Sequence, residues 1–444
     1  MRPIFILGIW LITPMFLIRN NAFSQDQAPW TLQQCIDYAL GQNIQVRQSY
    51  LTNESNDVVV RESRAARFPS VTASAKQSFG WAKNQNLEST DNHLNGSNGT
   101  SYSLNASVRL FNGMKINNTI RQAMLDYESG NYNSDAIKEA VSLSIVDAYL
   151  QILYAEELVA NSRKQVEATT EQLNLASERL AISVISESDF LQVKSELANE
   201  KLTLANAESQ LNITRVNLMQ LMEMPVTPGF RITEPNLDSL IDKHQAPVAQ
   251  EIYNKALEIK PQIKSAELNK DAATLGIRLA KADYIPYLSL TGTLGTGYSS
   301  LLDMNYTGQL NRQINPGLAL ALTIPIYQNR QVKSRVELAD IGVRNAELNE
   351  INTKNQLRKS IEQASVDVTS AQTRYEASLD QYQAANESYA LSEEKFKQGM
   401  INSVDFLIQK TNQIVAESNL LQSKFNLIFS YKVLDFYTGV PLSL

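Results

Sequence analysis

From Val141 to Leu180, apolar and small residues recur at alternating steps of four and three: Val141, Ile145, Ala148, Ile152, Ala155, Val159, and onward through Ser162, Thr169 and Ala176. A period of 3.5 is that of helices supercoiled around neighbours. Every seventh position is Ala, Ser or Thr, which lets backbones approach closely. Between Met114 and Leu180 there is no proline and the only glycine is Gly130. The pattern predicts one helix of roughly 65 residues, near 100 Å long at about 1.5 Å per residue. The same frame returns from Leu357 through Ile361, Ala364, Val368 and Ala371 to Phe396. Two shorter heptad-like runs, 190–221 and 406–437, follow as partners.

Upstream of each long run the period changes to two, which predicts strands. Val71–Phe79 and Tyr102–Leu110 alternate apolar residues with Ser, Thr, Asn, Lys or Arg, and so do Leu288–Leu294 and Leu318–Ile324. Each strand is about ten residues, the length that crosses a bilayer when tilted. Aromatic residues gather at the strand ends: Phe68, Phe111, Tyr287 and Tyr327 at one, Phe79, Trp81, Tyr102 and Tyr298 at the other. Interfacial girdles belong there. The girdle candidates are Phe79, Trp81, Tyr102, Tyr298, Phe111 and Tyr327. The connecting stretches, 83–100 and 299–315, are rich in Asn, Gly and Ser.

These paired patterns belong to a tandem duplication. Asp189 and Asp405 lie 216 residues apart, within the similar pentapeptides ESDFL and SVDFL. At the same offset Ile185 meets Ile401, Phe190 meets Phe406, Leu211 meets Leu427 and Pro225 meets Pro441. Upstream, one residue out of frame, Ala39-Leu40 meets Ala256-Leu257 and Pro69 meets Pro286. The division is therefore a leader at 1–24, a first repeat at 25–225, a linker at 226–247 and a second repeat at 248–444. Each repeat reads helix, two strands, very long helix, tip, long helix.

Composition narrows the function. A net charge of −6 and a pI near 5.3 offer no basic face for nucleic acid. One cysteine, Cys35, excludes an internal disulfide, and two distant histidines, His93 and His244, argue against a histidine metal site. Met1-Arg2-Pro3, an apolar run from Ile4 to Ile18 and the small residues Ala22 and Ser24 read as a secretory leader cleaved near Ser24. The competing reading, an uncleaved anchor, is disfavoured by the short run and by Pro14 within it. No later segment is long and apolar enough to cross a bilayer as a helix.

Four strands with one apolar face cannot close a barrel alone, and open edges are not tolerated in lipid. Two chains would supply eight strands, whose interior fills with side chains; three would supply twelve and begin to leave a lumen. The polar inner faces favour three. The expected fold class is mostly α, with coiled-coil-like helices forming an α-barrel and four strands per chain entering a shared trimeric twelve-stranded β-barrel.

This architecture resembles the TolC-like outer-membrane efflux protein family. The resemblance is carried by Trp30-Thr31-Leu32 with Ala39-Leu40 and Asn43, by Leu110-Phe111-Asn112-Gly113 with Pro325-Ile326-Tyr327-Gln328, and by Phe396, Gly399, Asn402-Ser403 and Asp405-Phe406-Leu407. It covers essentially the whole chain after the leader. It implies a homotrimeric channel-tunnel in the outer membrane, reaching into the periplasm. It further implies docking to a periplasmic adaptor and an inner-membrane pump, and export of drugs, other small molecules or proteins. The alternative is a non-transporting periplasmic coiled-coil protein, an adaptor or an adhesin stalk.

The tips carry the remaining candidates. Ser183–Ser188 and Gly399–Ser403 break the helical runs. Val184, Ile185, Ser186, Gly399, Met400, Ile401, Asn402 and Ser403 are the expected docking residues by resemblance. Ser186 with Asp189, and Asn402 with Asp405, have the spacing of an N-cap and its N3 residue. Three chains would also gather these aspartates into an acidic ring able to favour cations. The resemblance makes Asp405 a constriction residue. Ile408 stands where some members carry a second acid, and Phe396 and Ile401 replace the family's Tyr and Arg. Asp189, Asp405, Phe396 and Ile408 are thus the gate candidates. Gly292, Gly295 and Gly297 lack the lysine of a phosphate loop and lie in a strand pattern. No catalytic set, cofactor site or metal site is legible.

Overall fold

The computed structural model describes residues 29–83, 94–235 and 248–443; the expected leader, 1–24, and most of the linker lie outside the described residues. Chain order is α1 (Leu32–Gln42), α2 (Ile44–Ala65), β1 (Ser70–Lys83), β2 (Leu94–Phe111), α3 (Lys115–Ala181) and α4 (Glu187–Leu221). Then come α5 (Ala249–Ile259), α6 (Pro261–Ala282), β3 (Tyr287–Ser299), a short α7 (Tyr306–Arg312), β4 (Asn315–Thr323), α8 (Gln331–Lys397) and α9 (Ser403–Thr438).

The duplication is element for element. α1 and α2 correspond to α5 and α6 at an offset of 217, and α3 and α8, both 67 residues, correspond at 216. The one-residue slip falls inside the β-hairpins. Where a single opening helix was expected, each repeat has two. The first breaks at Asn43 (ψ 129°), whose side chain caps α2 by accepting from the Gln45 N–H. The second breaks at Lys260 (ψ 124°), where Pro261 opens α6. Proline forces its predecessor into extended backbone, and its missing N–H costs nothing at a helix start.

The heptad frame is the buried frame. Ile145 and Ile152 are fully buried, as is Ile361, and Ser162, Thr169 and Ser378 hold the close-approach positions. Gly130 has a further reason: a Cβ there would lie 2.1 Å from Asn53 Oδ1 on α2. At these 67-residue lengths, α3 and α8 run about 100 Å. One apolar cluster joins α1, α3 and α4 to Phe425 and Ile428 of α9; a second joins α5, α8 and α9. Cys35 sits fully buried in the first, and burial pushes its thiol up to about 12, so it packs and does not react. The first linker residues pack back too: Phe230 and Ile232 are buried, with a parallel bridge between Trp30 and Ile232.

The four strands form one antiparallel sheet in the order β1-β2-β3-β4, so β1 and β4 are open edges. Strand lengths run from 9 to 18 residues, more varied than expected, and α7 lies in a stretch expected as loop.

Candidate functional site: an apolar sheet face and two helical tips

Register sorts the sheet into two chemistries. One face carries Val71, Ala106, Gly292 and Leu318 in a row; the next rows hold Val108, Leu290 and Leu320, then Phe111, Leu288 and Leu322. The other face carries Ser70, Ser107 and Thr291, then Thr72, Asn105 and Thr293. Hydroxyls bond across strands there, Ser70 to Ser107 at 2.9 Å and Ser74 to Ser103 at 2.8 Å. Leu318, Leu320 and Leu322 are 79%, 63% and 62% exposed in the single chain. Leaving such side chains in water costs about 1.5–3 kcal/mol each relative to burial. This face needs an apolar cover. Phe79, Trp81 and Phe111 are exposed towards strand ends and Tyr327 just beyond β4. Tyr102, expected at a strand end, is exposed in the middle of β2, which runs further than its alternating pattern predicted. Tyr102 and Tyr298 meet a partner that the sequence reading missed: Tyr306 of α7, whose hydroxyl lies 2.9 Å from that of Tyr102 and whose ring lies 5.0 Å from Tyr298. Only the fold of the loop brings Tyr306 there, so spacing could not reveal it.

At the far end of the long helices the two tips are one turn built twice. Ser183 and its counterpart Gly399 adopt positive φ, 56° and 75°. Val184 N–H donates to Arg179 O and Met400 N–H to Lys395 O, both at 2.9 Å, which satisfies the last carbonyls of each helix. Ser186 and Asn402 then cap α4 and α9 by accepting from the N–H of Asp189 and Asp405. Only the first is a full capping box, with Asp189 accepting from Ser186 N–H in return.

The aspartates therefore differ. Asp189 accepts from Ser186 Oγ at 2.7 Å and from Ser403 Oγ at 2.8 Å, so it ties the two tips together. Those bonds, Ser186 first, hold its carboxyl below the usual aspartate range. Asp405 is exposed. Phe396 stacks on Phe406 at 4.8 Å with an interplanar angle of 11°, so its ring is engaged in packing. Ile408 is half exposed. Val184 and Met400 are 65% and 70% exposed, while Ile185 and Ile401 turn inward. A cavity of about 290 Å³ lies between the tips, lined among others by Arg179, Asp189, Phe396, Lys397 and Ser403. Two turns above it, buried Lys410 lies 2.7 Å from Glu200 and donates to Thr169 Oγ1.

Among the described residues no helix is long and apolar enough to cross a membrane and no cluster could hold a metal ion.

The family model described as outer membrane efflux protein matches residues 35–222 and again 252–440, one match per repeat. The chain belongs to the outer membrane efflux protein family. Its location is accordingly the outer membrane, and the family is not an enzymatic one. The outer membrane protein TolC of Escherichia coli is 24% identical over 333 residues, 72% of this chain and 64% of that protein. BepC of Brucella suis, an outer membrane efflux protein, is 20% identical over 85% of this chain and 79% of its own length. The fold matches solved channels: CmeC of Campylobacter jejuni at a TM-score of 0.78 (19% identity, 92% and 86% of the two chains) and MtrE of Neisseria gonorrhoeae at 0.75 (21%, 92% and 88%).

Proposed function

We propose that three copies of this chain close a twelve-stranded barrel in the outer membrane and continue below it as a helical tunnel. The tunnel is a passive exit duct. The observation that carries this reading is the sheet: one apolar face, one hydroxyl-rich face, and two unpaired edges, β1 and β4; in the barrel the apolar face turns to lipid and the hydroxyls to the lumen. Unpaired backbone groups in hydrocarbon cost several kcal/mol each, so β4 of one chain must pair with β1 of the next. That junction repeats the β2–β3 junction, because β4 corresponds to β2 and β1 to β3.

Energy for export then comes from a partner. The exposed Val184 and Met400, with the rest of the tip residues, are the docking surface for a periplasmic adaptor linked to an inner-membrane pump. Asp189, Asp405, Phe396 and Ile408 stand at the narrow end, where charge and side-chain bulk restrict passage. Planar-bilayer recording of the purified protein tests the duct. Discrete conductance steps are expected, larger after the tips are truncated; silence from the truncated protein would remove the reading. Adaptor docking is tested separately, by co-purification of the cognate adaptor with the native chain and its loss with Met400→Glu.

A further inference from the structure

The polar face of the sheet carries charge of one sign. None of the four strands contains an aspartate or a glutamate, and their charged residues are Lys76, Lys83 and Arg109, all from repeat one. Register sets Lys76 opposite Ser101 and Arg109 opposite Ser289, among the rows that hold Ser70, Ser107 and Thr291. Both therefore stand on the hydroxyl-rich face, and both are exposed. Lys83 is the last residue of β1. Among the described residues neither the Lys76 nor the Arg109 side chain has an ion-pair or hydrogen-bond partner. Where the strands give way to helices the cations are paired instead: Lys115 and Arg335 both meet Asp283, at 2.5 and 2.8 Å. The chain as a whole is acidic, with a net charge of −6, so the sheet runs against its average.

Closure of the ring adds no acid. By the duplication, Lys76 corresponds to Thr293 and Arg109 to Pro325. Thr293 pairs with Asn105, so across the junction Lys76 pairs with the counterpart of Asn105, Ala321 of β4. The residues flanking Ala321 on that face of β4 are Ala319 and Thr323. Three chains thus set one ring of lysines and one ring of arginines among hydroxyls. From Ser101 to Arg109 the strand advances about 27 Å, or about 20 Å along the barrel axis at a tilt near 40°. The Debye length at physiological salt is about 8 Å, so each ring governs its own level. The acids of the tips, Glu187, Asp189 and Asp405, lie beyond the 67-residue α3 and offset neither ring. A wall of low dielectric focuses the field of such rings into the water they enclose. Hydroxyl dipoles reorient to suit either sign and do not cancel it.

We propose that the barrel section of the duct selects by charge, passing anionic solutes in preference to cations of the same size, through Lys76 and Arg109. Rings of Lys or Arg are what an anion passage requires. This rests on the trimeric duct reading and narrows its cargo to small molecules that leave as anions or neutral species.

Thiol probes in the full chain test this, since Cys35 is buried. Light scattering first establishes the trimer; a monomer would remove the duct and this inference together. Ser101→Cys stands beside Lys76, and Thr293→Cys stands between the two rings on a strand without charge. Each is treated with an anionic and a cationic methanethiosulfonate, sulfonatoethyl and trimethylammonioethyl, and the rate ratio is compared with that of free cysteine. The ratio cancels any effect of Lys76 on ionisation of the thiol. Both positions should favour the anionic reagent several-fold. The preference should vanish with Lys76→Gln and Arg109→Gln together and invert with Lys76→Glu and Arg109→Glu. A ratio equal to that of free cysteine at Thr293→Cys, or no reaction with either reagent, would overturn the proposal. These rates need no open tip. Bilayer recording in a KCl gradient adds the transport measurement: the chloride-to-potassium permeability ratio of the full-length trimer should fall several-fold in the double Gln variant. An unchanged ratio in a conducting trimer would overturn the selectivity and leave the duct standing.

Discussion

The two tips have the same backbone and different chemistry. Ser183 and Gly399 hold one left-handed position, and Ser186 and Asn402 cap the same turn. Yet Asp189 is bonded twice by hydroxyls, while Asp405 is left to solvent. The same contrast runs up the helices: Lys410 is buried against Glu200, and its counterpart Lys194 is exposed. Duplication preserved the scaffold and let the side chains diverge according to what each repeat packs against. Backbone geometry follows from turn and heptad rules common to both copies; side-chain pairing does not.

The largest break in the comparison should come from the buried ion pair. Lys410→Ala leaves Glu200 buried without its cation, which costs about 3–5 kcal/mol. Lys194→Ala should stay within about 0.5 kcal/mol, as for an exposed residue. Thermal unfolding of the two variants in detergent measures the gap, and equal shifts would refute the assignment.

Next is the helix contact at Gly130. A Cβ would strike Asn53 Oδ1 and come within 2.9 Å of Asn56 Nδ2, so Gly130→Ala should destabilise by about 1–3 kcal/mol through overpacking. The counterpart is already alanine, and Ala346→Gly should cost only about 1 kcal/mol, from helix propensity. The same melts report both.

At the tips the expected effects are smaller and opposite in sign. Gly399→Ala forces a Cβ into positive φ and should cost about 1–2 kcal/mol, whereas Ser183→Gly should gain a similar or smaller amount. Limited proteolysis at each tip reads the change locally.

The smallest effect is on acid stability. The carboxyl of Asp189 is held below its ordinary value, chiefly by Ser186. Its contribution is therefore complete above the unfolded value near 3.8 and is lost as pH falls through the lower folded value. Ser186→Ala should raise the folded value toward the ordinary one and shrink the acid-side loss of tip order. Carboxyl-resolved titration checks it, and an unmoved Asp189 would contradict the cause given.

Much of this was legible in the chain before the fold. The heptad frame from Val141 to Leu180 coincides with the buried stripe, because 3.5-residue periodicity is a direct statement of which face meets a neighbour. Alternation placed Leu318, Leu320 and Leu322 on one face, because strand side chains alternate strictly. The breaks at Asn43 and Lys260 were not resolved, since a helix interrupted for one residue keeps nearly the same apolar rhythm. Nor could the tie from Ser403 to Asp189 be read: the residues stand 214 positions apart and meet only through the fold. Family resemblance pointed to the tips as a gate, but it did not show that Phe396 would spend its ring on Phe406.

The central claim is that a four-stranded sheet with two open edges completes itself with copies of its own chain around a water-filled passage. Single-channel recording of the light-scattering-verified protein tests that most directly. The account predicts a trimer with discrete conductance steps that grow when the tips are removed. A monomer, or a trimer that stays silent without its tips, would contradict it.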